Sequence, residues 1–284
     1  MIGLKIGIIP NLEKKNASEV LDKVISKLDS LNVEYVLPKT NTFRDFVLNE
    51  TGEHFDIIQE SDVVIAIGGD GTIIHTAKKA AVYSKAVLGI NSGRIGYMAG
   101  IEPDELDLLD RLVSGDYRIE NRMMLKAVVS SVPDQVFYSL NDIVVSKGSA
   151  DYAVDYSLYK GDKEFMSFRA DGIIVSTPTG STAYAMSAGG PVTDPAIECV
   201  IVVPICPISL YSKGFVLSAE SKIEIKFTPR GNSSVYVTFD GQDSFCLNKN
   251  DSVSLSKADD VVIKLVKIKN DSFYDVLKNK ISVI

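Results

Sequence analysis

The sequence predicts two folds in series, a parallel α/β domain and then a β-rich domain. Two observations carry this. In the first third, short β-branched runs alternate with segments whose apolar residues recur at helical spacing, the pattern of a parallel sheet with helices on its faces. After about Tyr117, short strand-like runs follow one another with turn residues between them, which reads as antiparallel structure. A third observation sets the scale: 284 residues, 45% hydrophobic, make one large domain or two smaller ones.

The elements follow in order. Lys5–Ile9 is a short β-branched run. Val20, Leu21, Val24, Ile25, Leu28 and Leu31 keep helical spacing, with Ser18 as the candidate cap. Val33–Leu37 reads as a second strand. Asp62–Ile67 is a third, apolar enough to be buried on both faces, and Ala86–Ile90 a fourth. Pro103 to Leu112 reads as a helix with proline near its start. Strand-like runs then come at Met124–Ser130, Phe137–Ser146, Tyr152–Tyr159, Ile173–Val175, Ile223–Phe227, Ser234–Phe239, Asp251–Ser256 and Val261–Val266. Ser181–Ala188 is the one helix-like interruption, and Ser272–Lys280 reads as a final helix. The expected domains are residues 1–116, with 268–284 packing back, and 117–267. The architecture is thus a Rossmann-like parallel α/β domain plus a β-sandwich-like domain, and a cleft between lobes is where a ligand is expected.

Composition narrows the function classes. A net charge of −7 argues against sequence-independent nucleic-acid binding, which needs a basic face. Three cysteines without CxxC spacing, and two histidines, make a zinc site unexpected and reduced thiols in a cytoplasmic protein the simpler reading. The amino-terminal apolar run reads as a strand rather than a signal peptide. No apolar stretch is long enough for a bilayer, since Pro204 and Pro207 break the longest.

Four segments carry chemistry. Gly68-Gly69-Asp70-Gly71-Thr72 follows a buried strand and precedes a helix expected over Ile73–Val82. Glycines there let backbone approach a phosphate at a helix start. A carboxylate in an anion site needs a second task, which is to accept a proton from an attacking hydroxyl or to hold Mg²⁺ against phosphates. On spacing alone, an ordinary glycine-rich βα turn fits as well. Asn91-Ser92-Gly93-Arg94-Ile95-Gly96-Tyr97-Met98 follows the next strand, at the end where open α/β sheets bind ligands. Leu140-Asn141-Asp142-Ile143 puts two polar residues into an apolar run, where they need partners; taken alone, a bulge or turn explains them. From Asp171 to Tyr184, a strand ends in Ser176-Thr177-Pro178-Thr179-Gly180-Ser181-Thr182. That run offers hydroxyls and N–H groups without charge and suits an adenosine or a ribose, with Tyr184 placed to stack on a base. Asp240-Gly241 is a strong hairpin-turn signal, with Asp240 also a candidate to reach the cleft. His75 reads as an ordinary helix residue.

Together GGDGT (Gly68–Thr72), NSGRIGYM (Asn91–Met98), LNDIVV (Leu140–Val145) and DGIIVSTPTGSTAY (Asp171–Tyr184) resemble the NAD kinase family in content and order, over nearly the whole chain. GGDGT alone is shared with lipid kinases and phosphofructokinases; Asp171–Tyr184 is the specific part. The resemblance implies NAD bound between an α/β and a β-rich domain and phosphorylated on the adenosine-ribose 2′-hydroxyl, with ATP or polyphosphate as donor. It also implies roles. Asp70 would activate the hydroxyl, and Gly68, Gly69, Gly71 and Thr72 would line phosphates. Asn141 and Asp142 would contact the adenosine, and Asp171 the nicotinamide end. Thr182, Ala183, Tyr184 and Ser187 would wall the adenine side, with Tyr97 and Met98 by the ribose or adenine. Relatives form dimers and tetramers, so a homo-oligomer is expected. Two departures stand out: Asp142 replaces the Glu of most bacterial relatives, and Gln242 stands where many have Arg or His.

The chain has no GxxxxGK[ST] loop, so Mg²⁺ is expected to arrive on the ATP rather than in a protein cage. Few basic residues lie within these motifs; Arg94 and Arg169 are the candidates for charge compensation at the phosphates, with Arg94 expected to bind the ATP phosphates. Competing readings are a lipid or sugar-phosphate kinase of the same superfamily and a non-catalytic NAD(H) sensor. A dehydrogenase is disfavoured, since Ile9-Pro10-Asn11-Leu12 stands where GxGxxG belongs.

Overall fold

Strand β1 (Lys5–Pro10) is the first line of a parallel sheet. The structure, a computed structural model, describes residues 3–39, 43–48, 52–93, 96–148, 152–209, 213–231 and 233–281. The chain divides into two units, residues 1–121 with 261–284, and residues 122–260.

In the first unit, helix α1 (Ala17–Ser30) follows β1 and buries Ala17, Val20, Val24 and Leu28, one stripe at helical period. Asn16, not Ser18, precedes its first turn, and no side chain caps it; Ser18 lies exposed inside the helix. Strand β2 (Glu34–Val36) pairs with β1 in parallel. Helices α2 (Phe43–Leu48) and α3 (Glu53–Glu60) come next, two short helices not expected from the spacing. Strand β3 (Val63–Gly68) is buried throughout, as its uninterrupted apolar run predicts. Helix α4 (Asp70–Val82) leads to β4 (Ala86–Asn91). Ile6, Ile8, Ile65, Ile67 and Leu88 pack with α1. The opposite face of the same sheet meets α3 and α4, where Gly7 lies against Ile57 and Gly89 against Ile73.

The segment Pro103 to Leu112, expected as one helix, is a 3-10 turn (Leu106–Leu108) followed by the short α5 (Leu109–Ser114). Pro103 lies in the preceding turn. Strand β5 (Arg118–Arg122) belongs to this sheet. So does Ile263–Lys267, which pairs parallel to β4. The strand run at Val261–Val266, expected in the β-rich part, therefore lies in the first unit. The sheet order is β2-β1-β3-β4, then Ile263–Lys267, then β5. A helix at Phe273–Ile281 ends this unit.

The second unit is two six-stranded sheets. One contains β6 (Leu125–Val129), β7 (Val136–Ser139), β9 (Val154–Lys160), β10 (Lys163–Ala170), β14 (Ile223–Thr228) and β17 (Ser252–Lys257). The other contains β8 (Asp142–Lys147), β11 (Gly172–Ser176), β12 (Cys199–Ile205), β13 (Phe215–Ser218), β15 (Val235–Phe239) and β16 (Asp243–Leu247). Neighbouring strands within each of these sheets pair antiparallel. Alternate residues of both sheets, such as Leu125, Tyr156, Ile225 and Val253 from one and Ile143, Val175, Val202 and Val237 from the other, share one core, as in a β-sandwich. The outer face of the second sheet is covered at Val144, Ile174, Ile201 and Val203 by Ala185 of the single-turn helix α6 (Tyr184–Ser187). Among the described residues, no helix is long and apolar enough to cross a membrane.

Two expectations need correcting here. The run Phe137–Ser146 is two strands, because Leu140 and Asn141 interrupt it. The helix expected over Ser181–Ala188 is a 3-10 turn (Thr179–Thr182) followed by α6.

Candidate active site

The first cluster sits at the carboxyl ends of the parallel strands. β1 leads to β2 on one side, while β3 lies on the other side of β1, so the strand order reverses between β1 and β3. Ligands of open α/β sheets bind at such a switch point. Asn11, just past β1, donates from Nδ2 to Thr72 Oγ1 at 2.9 Å and so ties β1 to the start of α4. Asn11 did not stand out in the sequence, although a buried polar residue directly after an apolar strand was its signal.

Gly68 ends β3, Gly69 precedes the helix, and Asp70, Gly71 and Thr72 form its first turn. The helix thus begins at Asp70 rather than Ile73, and its first N–H groups belong to the motif itself. Thr72 is buried between Asn11 and Thr76, whose hydroxyl donates to the Thr72 carbonyl; its hydroxyl is scaffold. Asp70 does something spacing did not predict. Its Oδ2 accepts the Tyr97 N–H at 2.9 Å and its Oδ1 the Met98 N–H at 3.0 Å. These two bonds orient the carboxylate. Gly96 is required beside it, because a Cβ there would overlap Asp70 Oδ1. Tyr97 is half-buried and Met98 buried. Burial first, and the Asp70 carboxylate second, hold the Tyr97 phenol above its ordinary range. Arg94, the expected counter-charge, lies outside the described residues.

The second cluster surrounds Leu140–Asp142. Asp142 opens β8 and is buried, and Asn141 just before it is half-buried. Burial, and then the neighbouring Asp240 carboxylate, push the Asp142 carboxyl up to about 7. The Ser176–Ser181 run wraps this segment. Ser176 Oγ donates to the Asn141 carbonyl at 3.1 Å, Thr177 N–H to the same carbonyl at 2.9 Å, and Thr177 Oγ1 to the Leu140 carbonyl. Gly180 N–H donates to Thr177 Oγ1 at 3.1 Å, and a Cβ on Gly180 would overlap the Asn141 carbonyl oxygen. Thr179 Oγ1 accepts from the buried Arg122 at 3.1 Å, and Ser181 Oγ donates to the Thr193 carbonyl. Ser176, Thr177, Thr179 and Ser181 are therefore buried architecture, not the ligand-facing donors that composition suggested. A run of small hydroxyl residues serves either purpose; burial decides between them. Thr182 and Ala183 stay half-buried, Tyr184 is 46% exposed and Ser187 is exposed.

Asp171 is not brought to this cluster. Register pairs Ser176 with Asp142 and Gly172 with Ser146, so Asp171 lies past the other end of β11, roughly 15 Å along the strand. There it faces Lys147, with Nζ 3.7 Å from Oδ1. Arg169 pairs with Asp155 at 2.7 Å, which takes it out of the role of phosphate counter-charge.

Residues 6–117 match the family described as ATP-NAD kinase N-terminal domain, and residues 140–268 the one described as ATP-NAD kinase C-terminal domain.

The chain belongs to the ATP-NAD kinase family.

Similar proteins include an NAD kinase of Caldanaerobacter subterraneus subsp. tengcongensis, 36% identical over 98% of this chain and 99% of that protein. Another is an NAD kinase of Clostridium perfringens, 37% identical over 97% and 98%. Among solved structures, an NAD kinase from Archaeoglobus fulgidus in complex with ATP superposes with a TM-score of 0.77 at 28% identity, covering 99% of this chain and all of that one. A yeast NADH kinase complexed with NADH gives 0.82 at 21% identity over 97% and 85%, a likeness of fold. An ATP-NAD kinase is a phosphotransferase, and both clusters lie within the matched segments.

Proposed function

We propose that this chain transfers the γ-phosphoryl group of ATP to the 2′-hydroxyl of the adenosine ribose of NAD, giving NADP and ADP. The observation that carries this is the Asp70 carboxylate, oriented by the Tyr97 and Met98 N–H groups at the start of α4. Phosphoryl transfer asks a protein mainly to position reactants and neutralise charge. The 2′-hydroxyl oxygen forms a bond to the γ-phosphorus as the bond to the β,γ-bridging oxygen breaks. The hydroxyl proton passes to the Asp70 carboxylate. The first-turn N–H groups at Gly71 and Thr72, with the glycine backbone of Gly68 and Gly69, face the donor phosphates.

Mg²⁺ belongs to the donor, as MgATP, where it supplies charge neutralisation. Among the described residues, no three His, Cys, Asp or Glu side chains gather to hold a metal. In the second unit, Asn141 and Asp142 contact the adenosine, Thr182, Ala183 and Ser187 line the adenine side, and the half-exposed ring of Tyr184 is free to stack on the base. Asp171 serves the nicotinamide end, away from the Asn141–Asp142 pair. A homodimer or homotetramer in the cytoplasm completes the reading. Free thiols at Cys199, Cys206 and Cys246 support the reducing compartment, and edge strands β7, β10, β13 and β16 support pairing between copies.

The test is acceptor substitution. Purified protein with MgATP is offered NAD, NADH, a diacylglycerol or a hexose phosphate, and ADP release is followed. Release with NAD supports the reading, and polyphosphate in place of ATP sets the donor range. Release only with the lipid or the sugar phosphate would overturn it.

A further inference from the structure

Leu140–Asp142 is held in an unusual way. Leu140 and Asn141 lie between β7 and β8, and their backbone groups are met mainly by side chains. On the carbonyl side stand Ser176 and Thr177. On the N–H side stands one residue, Asp240. Its Oδ2 accepts from Leu140 N–H at 3.0 Å, and its Oδ1 from Asn141 N–H at 2.7 Å and Asp142 N–H at 3.3 Å. Its own N–H donates to the Asp142 carbonyl at 2.9 Å. One carboxylate thus gathers three consecutive N–H groups at the tip of the β15–β16 hairpin.

The turn alone does not demand this acid. Asp240 has φ +50° and Gly241 φ +72°, the left-handed pair of a type I′ turn, and Asn-Gly makes that turn at least as well as Asp-Gly. Asn at this position would aim an NH₂ group into a cradle of N–H donors. An ionised carboxylate offers acceptors only, and its bonds to backbone N–H are of the stronger, charge-assisted kind.

We propose that Asp240 is a positioning residue for the acceptor. It fixes the Leu140–Asp142 backbone so that the side chains of Asn141 and Asp142 meet the adenosine. The inference rests on the reading of Asn141 and Asp142 as acceptor contacts.

Steady-state kinetics and melting curves on the full-length protein test it, with Asp240→Asn, Asp240→Gly and Asn141→Ala. Both Asp240 variants retain a turn-compatible residue and are expected to fold. KM for NAD is expected to rise about tenfold or more in each, the loss of one strong buried hydrogen-bond set. KM for ATP and kcat at saturating NAD are expected to hold within about threefold. Wild-type KM for NAD in both Asp240 variants, with a raised KM in Asn141→Ala, overturns the positioning role and leaves the acceptor reading standing. Unchanged KM for NAD in Asn141→Ala overturns the acceptor reading itself. A parallel fall in kcat and both affinities, with a lowered melting temperature, marks a general loss of structure and also overturns the proposal.

Discussion

At the scale of single residues, Asp70 and Asp142 make different demands on their surroundings. Asp70 is oriented by two backbone N–H groups, so Asp70→Asn removes the base and also turns an NH₂ group toward one of those donors. Turnover is expected to fall by about 10²–10⁴, with NAD binding retained by the second unit; a titration of NAD alongside the rate assay checks both. Asp142 is the reverse case. Its carboxyl is raised to about 7, chiefly by burial, so the fold favours the protonated form. The stability this gives is complete below about pH 4 and is lost as pH rises through 7. Asp142→Asn, an isostere of the neutral acid, is expected to flatten this dependence and to recover roughly 2–4 kcal/mol at pH 8. Denaturant unfolding at pH 5 and pH 8 measures it, and equal slopes for both proteins would refute it. Both aspartates stood out in the sequence because a carboxylate is conspicuous among glycines or inside an apolar strand. Asn11 and Asp240 did not declare their tasks, since a hydrogen bond across more than 60 residues of chain leaves no local spacing to read.

At the scale of elements, close approach explains both what was legible and what was not. The buried run Val63–Gly68 and the stripe Val20, Val24, Leu28 were readable because burial imposes a period. The start of α4 was not, because Gly-Asp-Gly-Thr looks like a loop by propensity. Its helical turn is held by tertiary bonds, Thr72 to Asn11 and Asp70 to the Tyr97 and Met98 N–H groups. Two glycines test this packing. Gly96→Ala forces a methyl against the Asp70 carboxylate, and Gly180→Ala forces one against the Asn141 carbonyl. Each is expected to cost about 1–3 kcal/mol. Gly96→Ala is expected to lower kcat, and Gly180→Ala to raise KM for NAD. Melting curves with both kinetic constants check the pair, and a common effect on the two constants would count against separate tasks for the two clusters.

At the scale of the whole molecule, the first unit is discontinuous. Ile263–Lys267 inserts between β4 and β5, so residues far apart in sequence complete one sheet. The alternation of strands and helices announced that sheet, but a terminal strand among β runs carries no mark of which sheet it will join. Truncation after residue 260 is expected to leave the sandwich of residues 122–260 folded and to abolish cooperative unfolding of the α/β unit, as circular dichroism and limited proteolysis would report. One measurement reaches the proposed reaction most directly. ATP labelled in the γ-phosphate is incubated with NAD, Mg²⁺ and either the wild-type protein or Asp70→Asn, and the dinucleotide product is assayed with an NADP-specific dehydrogenase. The account predicts label in NADP for the wild type and almost none for Asp70→Asn. Label on any product other than NADP, or equal label from both proteins, would contradict it.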